Sequence, residues 1–259
     1  MGDLRFWEEL RPGTTGELIL AVDIPSGEND VNFRELVPLL DTQHTVWRAL
    51  EQTDVPLAAD GLAAYVEPWA DAVRDAGLPV GAVLGHRVGS VLAGALAEAL
   101  GADGRRPPCM LFDPELVDTE WVVELAGVSD GFAPEADRTA GSWPDDPAAL
   151  AVRLRSVVLS GVDRPGTRNR AAAENLHRAA HRLSVLALAE TYDVLPVWSR
   201  CTALSSSDPG NGLNRTRAAL LLPEAGFVAR EIALRHDHVE MFTSPAVART
   251  ASELLAVLE

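Results

Sequence analysis

The stretch Val80-Gly-Ala-Val-Leu-Gly-His-Arg-Val-Gly-Ser-Val-Leu-Ala-Gly-Ala-Leu-Ala-Glu-Ala-Leu100 decides the fold. The apolar run from Val80 to Leu84 reads as a buried strand that breaks at Gly85, and from Val88 onward small and aliphatic residues read as a buried helix closed by Gly101. Between them lies a sharp turn, Gly85-His86-Arg87-Val88-Gly89, with a glycine at each end and a charged residue at its tip. Arg87 holds its proton at any neutral pH, so it offers charge and hydrogen bonds but no nucleophile.

A strand, a glycine-flanked turn and a helix resemble the nucleophile elbow of α/β-hydrolases, written G-x-S-x-G. The likeness is to the thioesterases of that fold, above all the stand-alone (type II) enzymes of polyketide and nonribosomal peptide assembly lines. Their elbow reads G-H-S-x-G-G ahead of an alanine-rich helix, and His86, Gly89, Ala93 and Ala97 fit it. Two further stretches join the resemblance. Pro108-Cys-Met-Leu-Phe-Asp-Pro114 reads as a strand ending in Asp113, 26 residues after Arg87, where these enzymes carry the triad acid. Arg235-His-Asp-His-Val-Glu-Met-Phe242 is similar to their G-x-H-F-x-M segment and puts His238 on the triad histidine. The resemblance implies an α/β fold with a mostly parallel central sheet, flanked by helices, in one domain over residues 1–259. A helical lid insertion is expected over about 115–192. The nucleophilic serine is replaced by Arg87.

Length and composition agree with that class. A chain of 259 residues is long enough for a large core. The net charge of −16 excludes nucleic acid and anionic membranes as favoured partners. Every one of the 22 basic residues is arginine, which removes Schiff-base and lysine-base chemistry. Cys109 and Cys201 lie in apolar strand-like contexts with no metal-ligand spacing, and read as buried thiols. No apolar run reaches membrane-spanning length and no secretory leader is visible, so a cytoplasmic protein is expected. No cofactor and no metal are called for. His177 and His181, four apart, lack a third ligand.

Along the chain, residues 1–15 read as an irregular lead-in, and Glu17–Ile24 as a buried strand. The loop Pro25-Ser26-Gly27 follows it. By the resemblance this loop supplies one backbone N–H of an oxyanion hole and Val88 supplies the other. Acids at Glu28 and Asp30 crowd that loop and oppose a developing oxyanion. Helices are predicted over Asn32–Leu40 and Asp60–Ala76, each carrying a proline that threatens a kink, and a strand over His44–Leu50. Residues 128–147 are loop-like. Helices are predicted from Asp146 or Pro147 to Leu159 and over Asn169–Tyr192, then a strand over Leu195–Leu204 and a closing helix over Pro245–Leu258. Asp208, in Ser205-Ser-Ser-Asp-Pro209, stands where many α/β-hydrolases outside the thioesterases hold their acid, and is the alternative to Asp113.

Three functions stay open. Arg87 anchors an anion beside a His238–Asp113 base, giving a non-hydrolytic enzyme that isomerises, cyclises or dehydrates an acyl or carrier-bound intermediate. Alternatively, Arg87 fills a dead site, paired with Asp113 or a neighbouring acid, and the chain is a binding or scaffold partner. The last is weak thioester hydrolysis through a histidine-activated water. The resemblance implies a small-molecule or carrier-tethered acyl substrate and an acyl or peptidyl carrier protein as partner. Arg164, Arg168, Arg170, Arg178 and Arg182 offer a docking patch, or a solvated helix face.

Overall fold

The computed structural model describes residues 5–24, 31–52, 61–101, 104–117, 147–162, 170–221 and 227–258. Its first strand, β1 (Trp7–Arg11), lies in the stretch expected to be irregular. The run Trp-Glu-Glu-Leu-Arg is mostly polar because β1 is a sheet edge, pairing antiparallel with its one neighbour. Next come β2 (Leu18–Val22), α1 (Phe33–Leu36) and β3 (Thr45–Ala49). A capping box starts α1: Asn32 accepts from the Arg34 N–H, and Glu35 reaches back to the Asn32 N–H. The helix gives way to a 3₁₀ turn at Val37–Leu39 around Pro38. Then follow α2 (Gly61–Ala76), β4 (Val80–His86), α3 (Gly89–Leu100) and β5 (Cys109–Phe112).

Between β5 and the next strand lie α4 (Pro147–Val162), α5 (Arg170–Glu190) and a short α6 (Leu195–Trp198). The expected strand over Leu195–Leu204 is therefore corrected: its first four residues are helical and β6 is only Thr202–Ser205. Pro196 sits in the first helical turn, where its missing N–H costs nothing, and Trp198 is buried, donating from Nε1 to the Ser90 carbonyl at 3.3 Å. After β6 come α7 (Gly212–Leu220), β7 (Arg230–Ala233), α8 (His238–Thr243) and α9 (Pro245–Leu258). Neither α7 nor β7 is visible in the apolar pattern: β7 is largely exposed on the far edge.

The seven strands run in the order β1-β3-β2-β4-β5-β6-β7, every pair parallel except β1–β3. Both faces are covered, as continuous apolar strands require. The pleat divides β2 between two cores. Leu18, Leu20 and Val22 join Trp47, Trp69, Leu92, Leu183 and Trp198 on one side, whereas Ile19 and Ala21 join Phe33, Met110, Phe112, Phe242 and Leu255 on the other. Each fully buried aliphatic side chain contributes roughly 1.5–3 kcal/mol relative to exposure. The loops that matter leave from the carboxyl ends of β4, β5 and β6, where open α/β sheets hold their crevices.

Candidate active site

Two glycines bring the elbow together. A side chain on Gly85 would place Cβ 2.6 Å from the Ser90 Cα, and one on Gly89 would place it 2.6 Å from the Val22 carbonyl oxygen. The start of α3 therefore presses directly on β4 and the end of β2. Between them Arg87 adopts φ +48°, a left-handed conformation that costs a non-glycine residue about 1–2 kcal/mol. Three hydrogen bonds hold it there: its N–H donates to Phe112 at 3.0 Å, and its carbonyl accepts from the N–H groups of Ser90 (2.9 Å) and Glu115 (3.3 Å). Val88 caps α3 with its side chain buried. Ser90 lies in the first turn of α3 with its side chain buried behind Gly85, away from the tip.

Asp113 follows β5 and is also left-handed, at φ +43°. Its N–H donates to the Leu204 carbonyl, and its buried carboxylate receives two bonds. Ser206 donates its backbone N–H to Oδ1 at 2.6 Å, and Nδ1 of His238 lies 3.0 Å from Oδ2. An ionised carboxylate only accepts, so Nδ1 carries the proton and Nε2 is the basic nitrogen. That Nε2 is shielded from solvent and has no hydrogen-bond partner among the described residues. Asp208 reaches the same histidine differently: its Oδ2 accepts the His238 backbone N–H at 2.9 Å and the Ser206 hydroxyl at 3.3 Å. The imidazole thus meets Asp113, while Asp208 fixes the loop that carries it.

His238 opens α8, which Asp237 caps by accepting from the Glu240 N–H. Its ring stacks on His86, with centroids 5.1 Å apart and planes 17° apart. Burial holds the His86 imidazole well below its usual range, helped by the charges of His238 and Arg87. His86 is accordingly a neutral platform. Phe33 and Phe242 close around it.

Of the two pairings expected for Arg87, with Asp113 or with a neighbouring acid, the structure holds the second, with Glu115 as the acid. The Arg87 Nε donates to Glu115 Oε2 at 3.1 Å, and Nη1 of Arg215, on α7, lies 2.8 Å from Oε1. Glu115 is 2 % exposed, so two guanidiniums share one buried carboxylate. Arg87, Asp113, Glu115, Asp208, Arg215 and His238 line one cavity of about 300 Å³. Neither Glu115 nor Arg215 is read out by any sequence pattern. Glu115 lies two residues beyond Asp113, and Arg215 comes from a helix the pattern does not show.

The remaining sequence candidates fall elsewhere. Pro25, Ser26 and Gly27 lie outside the described residues, as do Arg164 and Arg168. Asp23, just after β2, is buried and paired with Arg48 at 2.5 Å. Arg182 is held by Glu51 at 2.6 Å, and Arg178 is exposed beside Asn175. His181 is buried against Tyr65, its Nε2 3.4 Å from the phenol, while His177 is exposed. Burial lowers the pKa of His181 and raises that of Tyr65. Among the described residues no group of three or more metal-ligating side chains is gathered, and no helix is long and apolar enough to cross a membrane.

The sequence matches no protein-family model, and no curated protein matches it. Solved structures do. A four-domain nonribosomal peptide synthetase bound to AMP and glycine superposes with a TM-score of 0.60 and 14 % identity over 96 % of this chain and 20 % of that one. This chain therefore spans about a fifth of the synthetase's length. The NocB thioesterase domain, in covalent complex with a fluorophosphonate nocardicin G analogue, gives 0.55 and 16 % over 98 % of this chain and 100 % of that one. An α/β-hydrolase from a Medee basin deep-sea metagenome library gives 0.52 and 13 % over 98 % and 93 %. The chain has a thioesterase-like α/β-hydrolase fold, whose described residues form seven mostly parallel strands flanked by helices.

Proposed function

We propose that the protein is a non-hydrolytic enzyme of natural-product biosynthesis that acts on an acyl intermediate, free or carrier-tethered, by proton abstraction next to the thioester carbonyl. One observation carries the reading: the His238–Asp113 pair is assembled at 3.0 Å, with a buried basic Nε2 beside the cavity, although the nucleophile it would serve is replaced by Arg87. An imidazole oriented by a carboxylate is a general base in its own right. His238 Nε2 takes the proton from the carbon beside the carbonyl. The C–H electron pair moves through the carbonyl to give an enolate, and Arg87 offsets the charge on its oxygen. Isomerisation, cyclisation and dehydration all begin this way, without an acyl-enzyme.

The solved structures named above include a nonribosomal peptide synthetase and a thioesterase domain, which supports acyl thioesters as the substrate class. A second reading has one specific observation in its favour. The Arg87–Glu115 ion pair fills the elbow tip with mutually satisfied charges, as a non-catalytic binding protein would tolerate.

Proton exchange separates the two. Butyryl-N-acetylcysteamine incubated with the protein in deuterium oxide is expected to lose its α-proton NMR signal faster than in buffer, and His238→Ala to return it to the buffer rate. Exchange at the buffer rate with wild-type protein would end the enzymatic reading.

A further inference from the structure

Arg87 alone does not use what surrounds it. Three carboxylates and two guanidiniums line the cavity, which by count looks poorly suited to an anion. Burial reverses that count. The side chains of Asp113 and Glu115 are 2 % and 3 % exposed, whereas those of Arg87, His238 and Arg215 are 18 %, 24 % and 30 % exposed. Asp113 is occupied by the Ser206 N–H and the His238 imidazole, and Asp208 by the His238 N–H and the Ser206 hydroxyl. A ligand entering the cavity meets the two guanidiniums and the imidazole ahead of the buried carboxylates of Asp113 and Glu115.

Glu115 also sets the spacing of the two arginines. Arg87 takes one of its oxygens and Arg215 the other, so the guanidiniums flank a single carboxylate group. Leu116 N–H donates to the Thr216 hydroxyl at 3.2 Å, next in sequence to both Glu115 and Arg215, and locks α7 to the loop after β5. The pair is held by buried, short-range bonds and does not depend on two flexible side chains meeting by chance.

We infer that Arg87 and Arg215, yoked through Glu115, form a two-point clamp for a short dicarboxylic acyl group. Its thioester carbonyl oxygen sits at Arg87 and its far carboxylate at Arg215. This deepens the acyl-handling reading above and rests on it. A planar guanidinium fork matches a carboxylate, and the bond is charge-assisted. An uncharged acyl chain of equal length leaves Arg215 without that bond, so the clamp makes Arg215 a specificity-determining residue.

Three probes test it by calorimetry with the full chain: succinyl-N-acetylcysteamine, butyryl-N-acetylcysteamine, and monomethyl succinate, which has the carboxylate but no thioester. The succinyl thioester is expected to bind about tenfold or more tightly than the butyryl one at low salt, the range of one charge-assisted hydrogen bond. The ratio should shrink as salt rises. Arg215→Met is expected to bring the ratio close to one, and Arg215→Lys to keep part of it, because lysine retains charge without the fork. Equal binding of the two thioesters by wild type overturns the clamp. So does an unchanged ratio in Arg215→Met, or in Arg215→Lys and wild type at high salt where the methionine variant does not fold. If neither thioester binds but monomethyl succinate does, in an Arg215-dependent way, the clamp stands and the thioester reading falls. If none of the three binds, both fall.

Discussion

Two charged assemblies share one cavity, and they differ in what their carboxylate holds. Asp113 holds an imidazole, which leaves a second ring nitrogen able to take a proton. Glu115 holds two guanidiniums, whose protons do not leave. The first assembly pairs an imidazole with its carboxylate, while the second sets fixed positive charge at the turn between β4 and α3. The difference teaches that one cavity holds both a proton-accepting group and a fixed positive field, each held by its own carboxylate. Breaking either assembly alone should therefore give different losses.

The largest effect is expected from the imidazole. His238→Ala should cut α-proton exchange by about 10²–10⁴, the usual worth of a positioned general base. Asp113→Asn should cost nearly as much, because an amide presents an N–H where Nδ1–H needs an acceptor. Thermal melts of His238→Ala should stay within about 1–2 kcal/mol of wild type, an ordinary substitution at a partly exposed loop position. A large melting shift with unchanged exchange would make His238 structural and erase the contrast.

Next comes an exchange of one assembly for the other. Arg87→Ser places a hydroxyl at the elbow tip beside an intact base. Nitrophenyl ester hydrolysis, expected to be negligible in wild type, should rise by roughly 10² if His238 Nε2 comes within about 3 Å of the new oxygen. No gain in a folded variant would place the deficit in the oxyanion donors, for which Val88 and the loop after Ile24 are the candidates.

Glu115 gives a smaller, purely energetic effect. Glu115→Gln leaves two guanidiniums facing each other across an amide. Removing one partner of a buried pair costs about 3–5 kcal/mol, and the partial exposure of both arginines reduces this to roughly 2–3 kcal/mol. For a chain of this size that is about 4–12 °C in melting temperature. The double variant Glu115→Gln/Arg215→Met should recover part of the loss. A Glu115→Gln melt within 1 °C of wild type would show that the pairing carries no stability.

The two assemblies were also unequally legible in the sequence. Arg87 and Asp113 stand at strand ends marked by glycines or by continuous apolar runs, because parallel strands buried on both faces write themselves in Val, Leu and Ala, whereas His238 is read from its resemblance to a motif. Their convergence followed from motif order. Glu115 and Arg215 carry no such mark. Glu115 belongs to an irregular loop, and Arg215 to α7, whose sequence Gly-Leu-Asn-Arg-Thr-Arg-Ala-Ala-Leu shows one buried leucine and four polar residues among its nine. Edge strands failed for the same reason: β1 and β7 bury too little to show the alternation that betrays a strand. At Leu195–Trp198 an apolar run was compatible with either state, and Pro196 with Trp198 under α3 tipped it to helix.

The smallest expected effect concerns His86, the ring on which the base rests. Its folded pKa is depressed, first by burial and then by the charges of His238 and Arg87. In the unfolded chain it titrates at the ordinary value of about 6.5. Below that pH the unfolded state binds a proton that the folded state refuses. Stability is therefore fully present above about pH 6.5 and falls as the pH drops below it, until the folded pKa is reached. The slope cannot exceed about 1.4 kcal/mol per pH unit for one group. His181 is depressed by its own burial and adds to the same trend, so the contribution of His86 is isolated by difference. His86→Phe keeps an aromatic platform against His238 and Phe242 and removes the titration. Denaturant melts between pH 7 and pH 5 should then show a shallower loss of stability in His86→Phe than in wild type, with His181→Phe as the matched control. Parallel slopes for His86→Phe and wild type would mean that His86 accepts a proton in the folded state, and that the ring behind the base is a second charge.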